Sequence, residues 1–225
     1  MTGPMSEDIP FDKSFDLPPG RVEEVMPGVR RLLVDNPGPF TFKGTLTYIV
    51  GKGQVAIIDP GPIDEPHIAA LLDALRAETV THILVTHTHR DHSPAAARIK
   101  AATRAVTCGE GPHRAARALH VGEPPRLEAS ADRDFRPDIA LADGETVSGP
   151  GWVLEAVTTP GHTANHMAFA LKGAGVLFSG DHVMAWATSV VIPPDGKMGD
   201  YMASLEKLLR RDDVQYWPGH GGGLA

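Results

Sequence analysis

Three histidines and one aspartate lie close together at His87, His89, Asp91 and His92. They directly follow the apolar run 82–85, which predicts a buried strand that ends in a loop. Alternate side chains of an extended chain share a side, so His87 and His89 point the same way. Neutral imidazoles and carboxylates are the ligands expected for zinc and related divalent ions. The cluster therefore predicts a metal site rather than a chance group of polar loop residues.

Three later turns each place one metal-binding side chain directly after a glycine. They are Pro160-Gly161-His162, Ser179-Gly180-Asp181 and Pro218-Gly219-His220. Each turn follows a predicted strand, and glycine allows the backbone to approach a neighbour closely there. One such turn alone is weak evidence, but the three together with the histidine cluster predict that these side chains meet at one site.

Divalent ions held by such a set would support hydrolysis. Two ions about 3.5–4 Å apart can share a water, lower its pKa toward ~7 and hold the resulting hydroxide as a nucleophile. An ion can also polarise a carbonyl or phosphoryl oxygen and stabilise the charge that develops on it. Ester, thioester, lactone, amide and phosphodiester bonds are all open to this chemistry. No Ser-His-Asp order or nucleophile elbow competes with it.

The elements that must position these residues are short strands and amphipathic helices. Strands are predicted at residues 30–34, 46–50, 54–58, 82–85, 104–108, 138–141, 152–158, 166–171 and 176–179. Helices are predicted at 64–78, with Asp64 as the N-cap, and at 94–102, 111–119 and 200–211. The last helix places Met202, Leu205, Leu208 and Leu209 on one face. Early and late strands with helices between them predict two packed sheets with helices outside.

Composition is that of a soluble globular protein. The chain has 225 residues, 42% of them hydrophobic, and a formal net charge of −7, which weighs against a general nucleic-acid-binding surface. No apolar run approaches the ~20 residues of a membrane span. The acidic N-terminus lacks the pattern of a signal peptide, and the single cysteine, Cys108, fits a reducing compartment. We therefore expect a cytoplasmic protein of one domain, 1–225, with an irregular arm at 1–20 and a surface insertion at 121–137.

The order His-x-His-x-Asp-His, Gly-His, Gly-Asp and Gly-His resembles that of the metallo-β-lactamase fold superfamily, over roughly residues 30–220. The resemblance implies an α+β fold, a four-layer αβ/βα sandwich of two mixed sheets with outer helices. It also implies a dinuclear site, with Asp91 and Asp181 as the catalytic residues and Asp59 as support for the histidine loop. The implied ligands are His87, His89 and His162 for the first metal, Asp91, His92 and His220 for the second, and Asp181 as the bridge.

The segment 38–45 and the pair Asp91-His92 resemble glyoxalase II-like thioesterases and the lactamase-β-like endoribonucleases. This implies a hydrolase with two Zn²⁺, or iron or manganese instead, acting on an ester, thioester, lactone or related acyl small molecule. The alternatives are a metal-dependent endoribonuclease or phosphodiesterase and an iron-containing redox protein. Both branches continue beyond the last ligand, whereas five residues follow His220 here, and the endoribonuclease branch has Asn where Leu46 stands. We expect no membrane partner, and nucleic acid is the less favoured substrate.

The remaining candidates admit two interpretations each. His166 and His182 adjoin the site in sequence and are either supporting or substrate-contacting groups. Trp186 and Tyr201 either line the pocket or pack in the core, and Cys108 is interpreted as a core residue. The other histidines are interpreted as structural or solvated: His67, His82, His113 and His120. Because three glycines follow His220, its segment is expected to fray and the second metal to bind more weakly.

Overall fold

Two mixed β-sheets pack face to face in the computed structural model, which describes residues 10–118, 120, 122 and 130–225. The strands are β1 Glu23–Met26, β2 Val29–Leu33, β3 Leu46–Lys52, β4 Gln54–Ile58, β5 Thr79–Leu84, β6 Val106–Gly109, β7 Ile139–Ala140, β8 Thr146–Gly149, β9 Trp152–Thr158, β10 Met167–Leu171, β11 Val176–Gly180 and β12 Gln215–Pro218. The helices are α1 Glu65–Ala74, α2 Ala96–Thr103 and α3 Met198–Leu208. One sheet runs β1 to β7 in order, and the other runs β12-β11-β10-β9-β8.

The main hydrophobic core lies between the two sheets. Side chains alternate along each strand, so Tyr48 of β3 faces this core while its neighbour Ile49 faces the other side of the sheet. Phe169 of β10 and Phe178 of β11 enter the same core from the second sheet, and the rings of Tyr48 and Phe178 lie 5.1 Å apart. Each sheet therefore buries one face against the other sheet, as the sequence predicts.

The outer face of each sheet is covered by helices. Ile68 and Leu71 of α1 and Ile99 of α2 pack on the seven-stranded sheet, and Leu208 of α3 packs on the five-stranded sheet. The layers are thus helix, sheet, sheet, helix, and the predicted four-layer αβ/βα sandwich is confirmed. Asp64 caps α1 by accepting a hydrogen bond from the backbone of His67 at 2.8 Å.

The apolar face predicted for the last helix is only partly buried. Met202 is 50% exposed and Leu209 85% exposed. Of the predicted face, Leu208 is buried, and the polar Ser204 is buried beside it. The reason is a polar contact: Ser204 donates to the carbonyl of Pro160 at 2.7 Å, which turns this side of the helix toward the Pro-Gly turn.

Other boundaries differ from the sequence-based expectations. Residues 111–118 form bends rather than the predicted helix, and Leu119 lies outside the described residues. The short strands β1 and β8 were not predicted, because four-residue runs carry little periodicity. The segment 121–137 was predicted as a surface insertion, and residues 121 and 123–129 of it lie outside the description. Its described end is only partly on the surface: Arg133, Asp134 and Arg136 are exposed, whereas Ala131 is 1% and Phe135 7% exposed.

The described part of the N-terminal arm, residues 10–20, has no regular secondary structure, as expected, but it reaches the core. Phe15 and Leu17 are buried between the sheets. Leu46 is also fully buried there, so this position offers the site no polar side chain. Cys108 is buried in the same cluster, and burial, with a smaller contribution from Asp138, raises its pKa to about 11. Within the described residues, no helix is long and apolar enough to cross a membrane.

Candidate metal centre

Four strand ends meet at one edge of the sandwich and deliver the candidate ligands. The histidine loop follows β5 of the first sheet, while His162 follows β9, Asp181 follows β11 and His220 follows β12 of the second. Close packing at the turns requires glycine: a Cβ on Gly219 would lie 2.5 Å from Oδ1 of Asp181, and one on Gly161 would lie 2.3 Å from Cα of Tyr201. The Gly-His turns are therefore shaped by contacts across the site.

The first group consists of His87, His89, His162 and Asp181, whose potential ligand atoms all lie within 4.8 Å of one another. Nδ1 of His89 lies 3.0 Å from Nε2 of His87 and 3.0 Å from Nε2 of His162. Oδ2 of Asp181 lies 3.6 Å from Nε2 of His162 and 3.9 Å from Nε2 of His87. Three imidazole nitrogens and one carboxylate oxygen thus converge, a set that suits a tetrahedral ion.

The second group consists of Asp91, His92 and His220. Oδ2 of Asp91 lies 3.2 Å from Nε2 of His92 and 3.2 Å from Nε2 of His220. Asp181 faces this group as well, with its Oδ1 3.4 Å from Nε2 of His92 and its Oδ2 3.3 Å from Nε2 of His220. Its two oxygens can therefore serve both groups, and the structure brings together every residue that the sequence predicts as a ligand.

The donor atoms fit a cation. Nε2 of His92 and Oδ1 of Asp181 are buried and have no hydrogen-bond partner among the described residues. Buried polar atoms are nearly always paired, so such orphans call for an explanation. Imidazole nitrogens and carboxylate oxygens together suit zinc, iron and manganese. A divalent ion at each group would satisfy both orphaned atoms.

Hydrogen bonds behind the imidazoles orient them. Nδ1 of His162 contacts the carbonyl of Val190 at 2.6 Å, and Nδ1 of His220 contacts the carbonyl of Gly44 at 3.0 Å. A carbonyl can only accept, so each Nδ1 carries a proton, and Nε2 is the nitrogen that binds a metal once it is deprotonated. The ligand nitrogens of these two residues are thus set by the backbone behind them.

Asp59 supports the histidine loop through three contacts, in line with the role that the family resemblance implies for it. Its Oδ1 accepts from the backbone of Thr86 at 2.8 Å, and its Oδ2 accepts from the Thr86 hydroxyl at 2.7 Å and lies 2.9 Å from Nδ1 of His92. Asp59 has φ +51°, a conformation that costs energy for a residue other than glycine and persists where the surroundings hold it. This carboxylate therefore fixes both the loop and one of its rings.

The two groups differ in the charge of their imidazoles. Burial, followed by the charges of neighbouring histidines, holds the pKa of His87 well below its usual value and lowers that of His89 to about 3. Burial also opposes charge on His92 and His220, but the nearby Asp91 and Asp181 carboxylates outweigh it. The pKa of His92 is therefore well above its usual value, and that of His220 is raised to about 10.

A cavity of about 380 Å³ opens directly over the two groups. Its floor is formed by candidate ligands, and one wall is apolar. The apolar residues are Phe40, Met184, Val190 and Ile192, and Thr41, Arg90, Ser130 and Asp195 complete the lining. A largely apolar cleft with a few polar groups is the usual form of a small-molecule site. The sequence does not predict that these residues line a cavity, because a lone apolar or polar residue in a loop gives no signal of its own.

The loop between β11 and α3 links the cavity to the ligands. The Val190 side chain lines the cavity while its carbonyl contacts His162, and the Ser189 hydroxyl donates to the backbone carbonyl of Asp181 at 2.5 Å. One short segment therefore supports both a histidine and the central carboxylate. No sequence pattern marks this segment, since a backbone carbonyl acts independently of residue type.

The described end of the segment 121–137 pairs with the histidine loop. The backbone of Arg90 donates to the carbonyl of Ser130, that of Asp132 donates to Thr88, and His89 and Ala131 form a β-bridge. Ser130 also lines the cavity. This part of the chain therefore belongs to the rim of the site rather than to a separate surface insertion.

The aromatic candidates have packing roles. The ring of Trp186 stacks on Phe42 with centroids 5.0 Å apart, and Tyr201 donates to the carbonyl of His182 at 2.9 Å. Neither Trp186 nor Tyr201 is among the described residues that line the cavity. His182 lies behind the ligands, with its ring 4.5 Å from that of Tyr201. Both residues therefore pack against neighbours away from the cavity lining, half-buried rather than in the hydrophobic core.

The histidines interpreted as structural mostly fulfil that expectation. His67 is buried against Thr47, with Nε2 2.9 Å from its hydroxyl, and His82 lies within β5. His113 is closer to the site than expected, since it contacts Thr88 at 3.1 Å and lies 3.5 Å from Asp195 of the cavity wall.

The segment after His220 is held in place, so the expected fraying is wrong. Leu224 forms a β-bridge with Tyr216, and each of these residues donates a backbone hydrogen bond to the other. A Cβ on Gly221 would lie 2.9 Å from the Trp186 ring, so this turn is packed tightly. His220 itself is 1% exposed.

Known proteins are similar to this chain over most of its length. Residues 40–220 match the family model described as the metallo-β-lactamase superfamily. An atrochrysone carboxyl ACP thioesterase of Claviceps purpurea is 31% identical over 91% of this chain and 59% of its own length. The chain spans between 56% and 63% of the length of three curated relatives, this thioesterase among them.

Solved structures share the architecture. A metallo-β-lactamase family protein from Thermus thermophilus has a TM-score of 0.73 and 25% identity, over 90% of this chain and 76% of that one. A second protein, solved in a di-iron-bound form, has a TM-score of 0.62 and 25% identity, over 84% of this chain and 92% of its own. Both agree with a two-sheet sandwich.

Proposed function

This chain belongs to the metallo-β-lactamase superfamily, and from that membership we propose that it is a metal-dependent hydrolase of acyl substrates with two metal ions. The observation that carries the proposal is the position of Asp181, whose two oxygens face both groups of candidate ligands. We propose that His87, His89 and His162 hold one ion, that Asp91, His92 and His220 hold the other, and that Asp181 bridges them.

Zinc is the proposed metal. The donor set contains imidazole and carboxylate only, which zinc accepts readily in structural and catalytic sites. Iron and manganese accept the same donors, and one structural relative was solved with two irons. Metal content of protein produced without a metal supplement is the direct measure, with two zinc ions per chain expected.

The ions, when bound, would supply an activated water and a Lewis acid for the substrate carbonyl. Asp91 is the candidate ligand carboxylate with more exposure, at 25% of its side chain against 8% for Asp181, and it lines the cavity. We propose that Asp91 orients the attacking water. Asp181 remains ionised, because its histidine neighbours outweigh burial and keep its pKa well below the usual value. Its charge offsets the repulsion between two cations.

An acyl substrate fits the shape and chemistry of the cavity. Phe40, Met184, Val190 and Ile192 offer an apolar wall beside the candidate ligands, where an acyl chain would lie. Arg90 is the cation among the described lining residues and would contact a polar or anionic part of the substrate. Thioesters are the first class to test, since one curated relative is named as a thioesterase. A nuclease is less favoured, because the net charge of −7 opposes polyanion binding.

A hydrolysis screen coupled to metal analysis tests the proposal. Purified protein would be assayed with acyl thioesters, lactones, β-lactams and single-stranded RNA, while its zinc, iron and manganese are quantified. We expect zinc and turnover of a thioester or lactone that a chelator abolishes. Turnover of RNA alone, or two irons with oxygen-dependent turnover, would replace this proposal with the endoribonuclease or the redox alternative.

A further inference from the structure

The segment 36–45 contacts two candidate ligands of the second group, His220 and Asp91. The carbonyl of Gly44 accepts from Nδ1 of His220 at 3.0 Å, and the hydroxyl of Thr45 donates to Oδ2 of Asp91 at 3.2 Å. The latter oxygen is the one that faces Nε2 of His92 and of His220. Two consecutive residues, both distant in sequence from the histidine loop, thus touch the residues that would hold the second ion.

Asn36 fixes the direction of the Thr45 hydroxyl. Its Nδ2 donates to Thr45 Oγ1 at 3.0 Å, and its Oδ1 accepts from the Thr45 backbone at 2.8 Å. A hydroxyl has a single proton to donate. Because its oxygen already accepts from Asn36, that proton is directed to Asp91. Thr45 is fully buried, so water does not compete for it.

The segment itself is tightly held. The hydroxyl of Thr41 donates to the carbonyl of Asn36 at 2.6 Å, and the backbone of Gly44 donates to the carbonyl of Thr41 at 2.8 Å. Gly44 has φ +142°, and a Cβ there would lie 2.1 Å from the carbonyl oxygen of Val34. The turn that presents Thr45 is therefore built around a glycine and closed by two hydrogen bonds.

We propose that Thr45, oriented by Asn36, is a positioning residue that sets the affinity of the second metal position. The inference rests on the proposed two-metal site and adds to it a residue that does not itself bind metal. Its effect is confined to one position, since the candidate ligands of the first group are oriented elsewhere, His87 by Thr86 and His162 by Val190. Support of this kind is typically worth roughly 10- to 100-fold in metal affinity.

Calorimetric titration of chelator-stripped protein with Zn²⁺ tests the inference, with Co²⁺ absorption as a second readout. The variant is Thr45→Val, which keeps the shape and removes the hydroxyl, and Thr45→Ser restores the hydroxyl. Thr107→Val is the matched control, because Thr107 is also a buried threonine that donates to a carboxylate, that of Asp138 at 2.8 Å, away from the candidate ligands.

We expect Thr107→Val to bind two ions with the same two affinities as the wild type. Thr45→Val should keep the first affinity and lose roughly 10- to 100-fold in the second, and Thr45→Ser should recover most of it. An unchanged second affinity in Thr45→Val, or equal weakening at both positions, would overturn the inference while leaving the two-metal proposal standing. A wild type that binds only one ion would overturn the two-metal proposal and this inference with it.

Discussion

The backbone N–H of Asp181 donates to Nε2 of His166 at 3.2 Å. On its other side, Nδ1 of His166 lies 2.8 Å from the hydroxyl of Thr159. Burial, then the charge of His182, holds the pKa of His166 well below its usual value, so the ring is neutral with its proton on Nδ1. His166 therefore belongs to the supporting residues, one of the two roles that sequence analysis left open for it.

Replacing His166 should impair the site without removing a ligand. We expect His166→Leu to lower kcat/KM by roughly 10- to 100-fold, because the backbone that carries Asp181 loses its acceptor. His166→Gln, whose amide oxygen can accept, should lose less. The measurement is steady-state kinetics with thermal unfolding as a control for stability, and equal activity of His166→Leu and the wild type would contradict the supporting role.

The charge of Asp181 should be indispensable for turnover. We expect Asp181→Asn to lower hydrolysis by at least ~10²-fold while the fold is retained, since an amide cannot offset the repulsion between two cations. Circular dichroism would check the fold and elemental analysis the metal content. Near-normal activity with two ions bound would remove Asp181 from the bridging role.

Metal binding should release protons at one position and not at the other. At pH 7 His92 and His220 of the metal-free protein are charged, with a proton on each ring nitrogen. Their pKa values are raised, in the case of His220 to about 10. His87 and His89 are already neutral, because their pKa values are lowered. Ligands must lose their protons to bind, so the second position should release about two protons and the first none. As the pH falls, the second affinity should therefore decline first.

Calorimetry in buffers of different ionisation enthalpy measures these protons directly. The slope of the observed enthalpy against the buffer enthalpy gives the number released at each equivalent. Proton release on the first equivalent and none on the second would reverse the assignment of charge to the two groups.

The apolar wall of the cavity should select for acyl chain length. We expect Ile192→Asn to raise KM for a hexanoyl thioester more than for an acetyl thioester, because only the longer chain reaches the wall. Burial of each methylene is worth about 0.8 kcal/mol, so the ratio of the two effects should exceed roughly threefold. Equal changes for both substrates would place the acyl chain elsewhere.

Stability should depend on Asp138 in a defined pH range. Hydrogen bonds from the Lys100 side chain and the Thr107 backbone lower its pKa to about 2. A carboxylate whose pKa is lower in the folded state stabilises the protein above its unfolded pKa, ~3.9, and this contribution disappears as the pH falls toward 2. Urea unfolding of metal-free wild type and Asp138→Asn should therefore diverge at pH 6 and converge near pH 2. A constant difference across that range would contradict the assignment.

Local patterns account for what the sequence predicts well. The strands β4 and β9 and the cap at Asp64 depend on neighbouring residues, so their signals are contained in a few positions. The clustering of the candidate ligands was also predictable, because each follows a strand end in a family-specific order. The exposed face of α3 was not, since a hydrogen bond between Ser204 and Pro160 decides it.

The supporting contacts were largely inaccessible to sequence reasoning. Thr45 and Asp91 are 46 residues apart, and no spacing connects a threonine with a distant carboxylate. Val190 acts on His162 through its carbonyl, which every residue type possesses. Such contacts depend on how the two sheets pack, which only the three-dimensional structure shows.

Each group of candidate ligands draws on both sheets. The histidine loop comes from the seven-stranded sheet, while His162, Asp181 and His220 come from the five-stranded one, and His89 and His162 are 73 residues apart along the chain. An ion shared by such residues acts as a cross-link between the two halves of the sandwich. By mass action it stabilises the folded state by an amount that grows with the logarithm of its concentration over its Kd. The melting temperature of the whole molecule would then report metal occupancy, and chelation would loosen the sheets first along the edge where they share ligands.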